Sequence, residues 1–160
     1  MNKSDLHPIQ RMTMTWTRIY YHLAKAIIDK YGDEGENLVK QAAKKAGDED
    51  GARIRQLAHD WEIGINPESL LKTMTYLWPE NNTEGHPRYT KKDTRSFEIT
   101  YCPIEAMYAS LPDGKKIGEL WQRAYHPGLW SKFNSDYSLE VEASMIGGDK
   151  TTIYTQKFTK

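Results

Sequence analysis

The stretch Ser96-Phe97-Glu98-Ile99-Thr100-Tyr101-Cys102-Pro103 decides the fold, because the periodicity of the chain changes there within one residue. Phe97, Ile99 and Tyr101 alternate with Glu98, Thr100 and Cys102, the two-residue period of a half-buried strand. Pro103 suits the first position of a helix, where its missing N–H is not needed and its fixed φ already fits. Ile104, Met107, Tyr108 and Leu111 then follow at helical spacing. Cys102, the only cysteine, is therefore expected at a strand-to-helix junction, beside open backbone N–H groups and the positive end of a helix dipole. Such a setting favours the nucleophilic thiolate, although a lone cysteine also serves widely as a small buried hydrophobe.

Downstream, Pro112-Asp113-Gly114 turns the chain into a second short helix bearing Ile117, Leu120 and Trp121, which is expected to end at His126-Pro127-Gly128. Tyr137, Leu139, Val141, Ala143 and Met145 alternate with Ser138, Glu140, Glu142 and Ser144. Gly147-Gly148-Asp149 reverses the chain into a return strand from Thr151 to Phe158. With the strand before Cys102, and a further one near Arg88 to Thr90, this makes three or four antiparallel strands.

Upstream the pattern is helical. Met12, Trp16, Ile19, Tyr20, Leu23 and Ile27 form one apolar stripe, Pro8 sits in the first turn and Gly32 is placed to end the helix. Asp33 and Glu36 have the form of a capping box, opening a helix through Leu38, Val39, Ala42, Ala43 and Ala46 to Gly47. Asp48 caps a third helix carrying Ile54, Leu57, Ala58 and Trp61, and Asn66-Pro67 starts a short fourth with Leu70, Leu71 and Met74. The turn formers and charges of residues 79–94 predict a surface loop. The expected class is α+β, with N-terminal helices packed on a small antiparallel sheet that ends in a C-terminal β-hairpin. The whole chain, 1–160, is of single-domain size, divided into a helical half 1–78, the loop 79–94 and a mixed half 95–160.

Charge excludes some functions. The 22 basic and 22 acidic residues balance and are interspersed, which argues against a nucleic-acid surface. The first residues lack the apolar core of a secretory signal and no stretch approaches a membrane span, so a soluble cytoplasmic protein is expected. One cysteine forms no internal disulfide, and no cluster has zinc-ligand spacing, so neither a metal nor another cofactor is assigned. Five Trp and ten Tyr are many for this length and suit a pocket or an interface as well as a core.

Four segments, Tyr31-Gly32-Asp33-Glu34, Gly47 to Arg55 (GDEDGARIR), Tyr101-Cys102-Pro103 and Gly148-Asp149, resemble in order the L-2-amino-thiazoline-4-carboxylic acid hydrolase family. The resemblance spans roughly residues 15–158 and implies a hydrolase that opens a cyclic, amidine-like C–N bond in a small substrate. The Cys-Pro junction and the Gly-Asp hairpin also resemble the 4-vinyl reductase domain, a small-molecule-binding module whose wider fold group includes gas sensors and vesicle-tethering subunits. That likeness implies a non-catalytic binding or sensor domain, a pocket between helices and a curved sheet, and often a homodimer. Where the hydrolase pattern has a second cysteine, this chain has Thr152, so any thiol mechanism uses Cys102 alone.

Ring opening needs a nucleophile, a proton donor for the leaving group and groups that hold the substrate. Cys102 is the candidate nucleophile, and His126, at the expected helix end, is the candidate acid and base. Glu98, Thr100, Tyr101, Trp121 and Thr152 are the candidate substrate contacts. Glu98 lies four residues before Cys102, roughly 13 Å along a strand, so the two line one face without touching. A solvated strand face explains the same alternation. His22, His59, Arg53 and Arg55 fall on amphipathic helices, where satisfied or surface-paired side chains are the ordinary case.

Overall fold

The computed structural model describes residues 8–66, 70, 84–91 and 94–159. One long helix, α1 (Pro8–Asp60), is broken at Gly32, whose φ of 57° and ψ of −130° lie outside the helical region. A residue without Cβ adopts that conformation at little steric cost. The chain continues through β1 (Glu84–Lys91), β2 (Thr94–Tyr101), α2 (Pro103–Ser110), α3 (Gly114–Phe133), β3 (Tyr137–Ala143) and β4 (Thr152–Phe158). Among the described residues the four strands form one antiparallel sheet in the order β1-β2-β4-β3, so β4 is an inner strand. The fold is α+β, with the helices packed on a small antiparallel sheet.

Register fixes which residues meet the helices. Phe97 on β2 lies opposite Tyr154 on β4, and Tyr154 opposite Val141 on β3. This row joins Ile54, Ala58, Leu129, Trp130, Phe133 and Leu139 in one apolar cluster. A second cluster, Tyr21, Ala24, Val39, Tyr108, Ile117 and Ile146, ties both arms of α1 to α2, α3 and the hairpin. Ile54, Leu129 and Ile117 are essentially inaccessible to solvent, each worth about 1.5–3 kcal/mol of burial.

The largest interface joins α1 to α3, and glycine makes it possible. A Cβ at Gly47 would stand 2.1 Å from the Tyr125 carbonyl oxygen, and one at Gly51 2.2 Å from that of Leu129. The expected helix end at Gly47 is therefore corrected. The helical segment runs unbroken from Asp33 to Asp60, and this glycine admits a neighbouring backbone instead of ending the helix.

Three further expectations change. The helix expected to stop at His126-Pro127-Gly128 continues to Phe133, because packing on α1 holds α3 together across the bond that Pro127 cannot donate. The strand expected near Arg88 to Thr90 is longer, since β1 takes in residues 84–91 of the expected loop 79–94, and its backbone pairing with β2 outweighs the turn-forming composition. In the first arm of α1, Met12, Trp16 and Leu23 of the supposed core stripe are 56%, 64% and 61% exposed, whereas Tyr21 and Ala24 are buried. The arm is apolar on two sides, and the side chosen by the fold is not the longer stripe. The helix expected after Pro67 lies outside the described residues apart from Leu70, which is buried in the first cluster.

Candidate functional site

Cys102 stands where expected. Its backbone is extended, with φ −144° and ψ 121°, Pro103 follows at the start of α2, and the Cys102 carbonyl accepts the Ala106 N–H at 3.0 Å. The side chain is half-buried and lies within electrostatic range of Tyr154. One turn into α2, Glu105 is almost wholly buried.

Glu105 is the centre of a buried polar node. Thr152 donates its hydroxyl to one carboxyl oxygen, and Gln122 donates its Nε2 to the other at 2.9 Å. The same Nε2 donates to the Tyr154 hydroxyl at 2.9 Å, and that hydroxyl in turn bonds to Glu105. Ser144 donates to Gln122 Oε1 at 2.6 Å, and the Met145 N–H donates to the Thr152 hydroxyl at 2.9 Å. Burial pushes the Glu105 carboxyl above the ordinary carboxylate range, opposed by the donors from Thr152, Gln122 and Tyr154.

Aromatic rings lead from this node toward the surface. Phe97 and His126 each contact Tyr154, at centroid distances of 5.6 and 5.1 Å. His126 meets Trp121 edge-on at 5.1 Å and Tyr125 at 5.3 Å. Trp121 stacks between Tyr125 and Tyr108, at 5.4 and 6.0 Å. Phe97, Trp121, Tyr125 and His126 are only partly buried. The apolar surroundings push the His126 pKa down from 6.5 to about 4, so the imidazole is neutral at physiological pH. Burial, then the hydrogen bond that Tyr125 donates to Asp50 at 2.6 Å, raises the Tyr125 phenol.

The geometry divides the sequence-derived candidates. Cys102, His126 and Thr152 all border Tyr154 or its node, and Trp121 flanks His126. Glu98 belongs to the opposite sheet face, where Arg88 reaches it at 4.0 Å and also reaches Glu142 at 3.8 Å. Thr100 and Tyr101 are exposed at the end of β2, and Thr152 is fully enclosed. His126 lies inside α3 and not at its end, so a helix-end dipole does not act on it. His59 is exposed beside Asp60, and Arg53 pairs with Asp50 at 3.0 Å.

Glu105, Gln122 and Tyr154 were not singled out from the sequence. Two signals pointed to them: Glu105 follows Cys102 at helical spacing, and Tyr154 shares the strand face of Thr152. Among the described residues no group of three or more His, Cys, Asp or Glu has metal-binding geometry. None of the described helices is long and apolar enough to cross a membrane.

No family model matches the chain, and no curated protein matches it. Solved structures do. Trafficking protein particle complex subunit 3 from Naegleria fowleri, crystallised covalently bound to palmitic acid, superposes with a TM-score of 0.62 at 12% identity. The match covers 92% of this chain and 95% of that one. The phenol-responsive sensory domain of the transcription activator PoxR, solved with phenol, gives a TM-score of 0.55 at 13% identity, over 89% of this chain and 73% of that one. These likenesses define the class of the molecule as an α+β domain with the fold shared by those two proteins.

Proposed function

We propose that this chain is a small-molecule-binding domain of the sensory kind, taking a compact aromatic ligand at the ring cluster around His126. One observation carries the proposal: partly buried aromatic rings converge on a neutral imidazole backed by a buried node of polar groups. Ring faces and edges hold an apolar body, and a neutral imidazole both donates and accepts a hydrogen bond from a ligand hydroxyl. The fold shared with a phenol-responsive domain supports the same ligand class.

Titration with phenol, followed by tryptophan fluorescence and calorimetry, tests this, with cyclohexanol as the non-aromatic control. Saturable phenol binding that is at least tenfold weaker in Trp121→Ala is expected. Equal binding of cyclohexanol, or no binding at millimolar phenol, would sink the proposal.

A second function is favoured by one specific feature, Cys102 capping α2 ahead of Pro103. The N-terminal end of a helix is a position that lowers a thiol pKa and favours the nucleophilic thiolate. On this basis, and on the resemblance noted above, we propose as the alternative reading a hydrolase of the L-2-amino-thiazoline-4-carboxylic acid hydrolase type. Incubation with that compound and mass spectrometry for the water-added product tests it. Turnover lost in Cys102→Ser supports the hydrolase, and no turnover by the native protein removes it.

A further inference from the structure

On another side of the molecule, α1, α3 and β3 enclose an open groove of about 530 Å³. That volume lies within the range of small-molecule sites. Its floor is apolar: Ala124 and Gly128 from α3 and Leu139 from β3 are buried there. Gly128 lets α3 approach α1 beside the groove, since a Cβ would come within 2.8 Å of the Lys44 carbonyl oxygen. The charged groups on the rim are Lys40 and Lys44 from α1 and Arg123 from α3, all exposed, while β3 contributes Tyr137, Ser138 and Leu139 and no charge.

The lining residues carry three cations and no carboxylate, and the Asp48 carboxylate lies directly behind Gly128. Two of the three cations are already compensated: Lys44 pairs with Asp48 at 2.7 Å, and Arg123 pairs with Glu119 at 3.0 Å while donating to the Val141 carbonyl at 2.9 Å. The second Asp48 oxygen is buried against Gly128 without a donor among the described residues. No described residue pairs with Lys40, which leaves its charge in excess over the groove. An apolar floor under an uncompensated ammonium matches a molecule with an apolar body and one negative end.

We infer that this groove binds a small organic anion with an apolar body, held by Lys40 over Ala124 and Leu139. The site is separate from the His126 ring cluster and does not depend on the function proposed for it.

The test uses 4-phenylbutyrate as probe and 4-phenylbutanol as its neutral counterpart, measured by calorimetry and by backbone amide shifts on the full chain. The expected result is saturable binding of the acid, at least tenfold tighter than the alcohol, weakened by 0.5 M salt and with shifts centred on residues 37–44, 123–124, 127–131 and 137–139. Lys40→Glu, at an exposed position, is expected to cut affinity at least tenfold while leaving the thermal midpoint and any phenol binding unchanged. Equal affinity for acid and alcohol, undiminished binding in Lys40→Glu, or shifts confined to the His126 cluster would each overturn the inference.

Discussion

Thr152 on β4 donates its hydroxyl to Glu105, one turn into α2, and this bond fastens the helix that Cys102 begins to the inner strand of the sheet. At the position where the hydrolase pattern carries a second cysteine, the chain thus has a structural hydroxyl. Thr152→Val keeps the shape and removes the donor, leaving Glu105 with Gln122 and Tyr154. A loss of about 1–3 kcal/mol in chemical denaturation is expected, as for any buried acceptor deprived of a partner. An unchanged midpoint would show that the bond contributes nothing net.

Glu105 makes stability depend on pH in an unusual direction. Its folded pKa is raised, so its contribution is fully present below about 4.5 and is lost as pH rises through the folded value. Glu105→Gln removes the ionisation. Denaturation at pH 4 and pH 8 should show the variant gaining on the native protein at the higher pH, and a gap that is constant with pH would contradict this.

His126 acts in the opposite sense. With a folded pKa of about 4 against 6.5 unfolded, its contribution is complete above 6.5 and is lost as pH falls toward 4. The loss is on the order of 2–3 kcal/mol. His126→Phe should flatten the denaturation midpoint between pH 6.5 and 4, a profile that an exposed histidine would not alter.

Gly51 leaves no room for a side chain against the Leu129 carbonyl. Gly51→Ala forces α1 and α3 apart, at a cost of about 3 kcal/mol. For a chain of this size that corresponds to a fall of about 6–12 °C in thermal midpoint. The neighbouring exposed substitution Ala52→Gly serves as the control, expected to cost about 1 kcal/mol through helix propensity alone.

The strand-to-helix junction at Cys102 and the terminal hairpin were legible because each is written locally: an alternating run, a proline at the first helical position, a Gly-Gly-Asp reversal. The α1–α3 contact was not. Gly47 carries the same letter whether it ends a helix or admits another backbone, and only the position of the Tyr125 carbonyl distinguishes the two. For the same reason Trp16 and Leu23 looked like core, since a helix apolar on two sides does not announce which side will be covered. Among the candidates, Cys102, Trp121 and His126 were chosen by residue type and local spacing. Glu105 and Tyr154 are brought together by the fold across 49 residues of chain, a separation no short motif spans.

The position of β4 has a consequence for biosynthesis. Every other strand precedes it in the chain, yet β2 and β3 are joined only through it. Phe97 leaves the ribosome 57 residues ahead of its partner Tyr154, about 3–10 s at ordinary elongation rates. Throughout that interval one edge of β2 is open to any passing strand, so the nascent chain is most vulnerable to a wrong pairing just before its sheet closes.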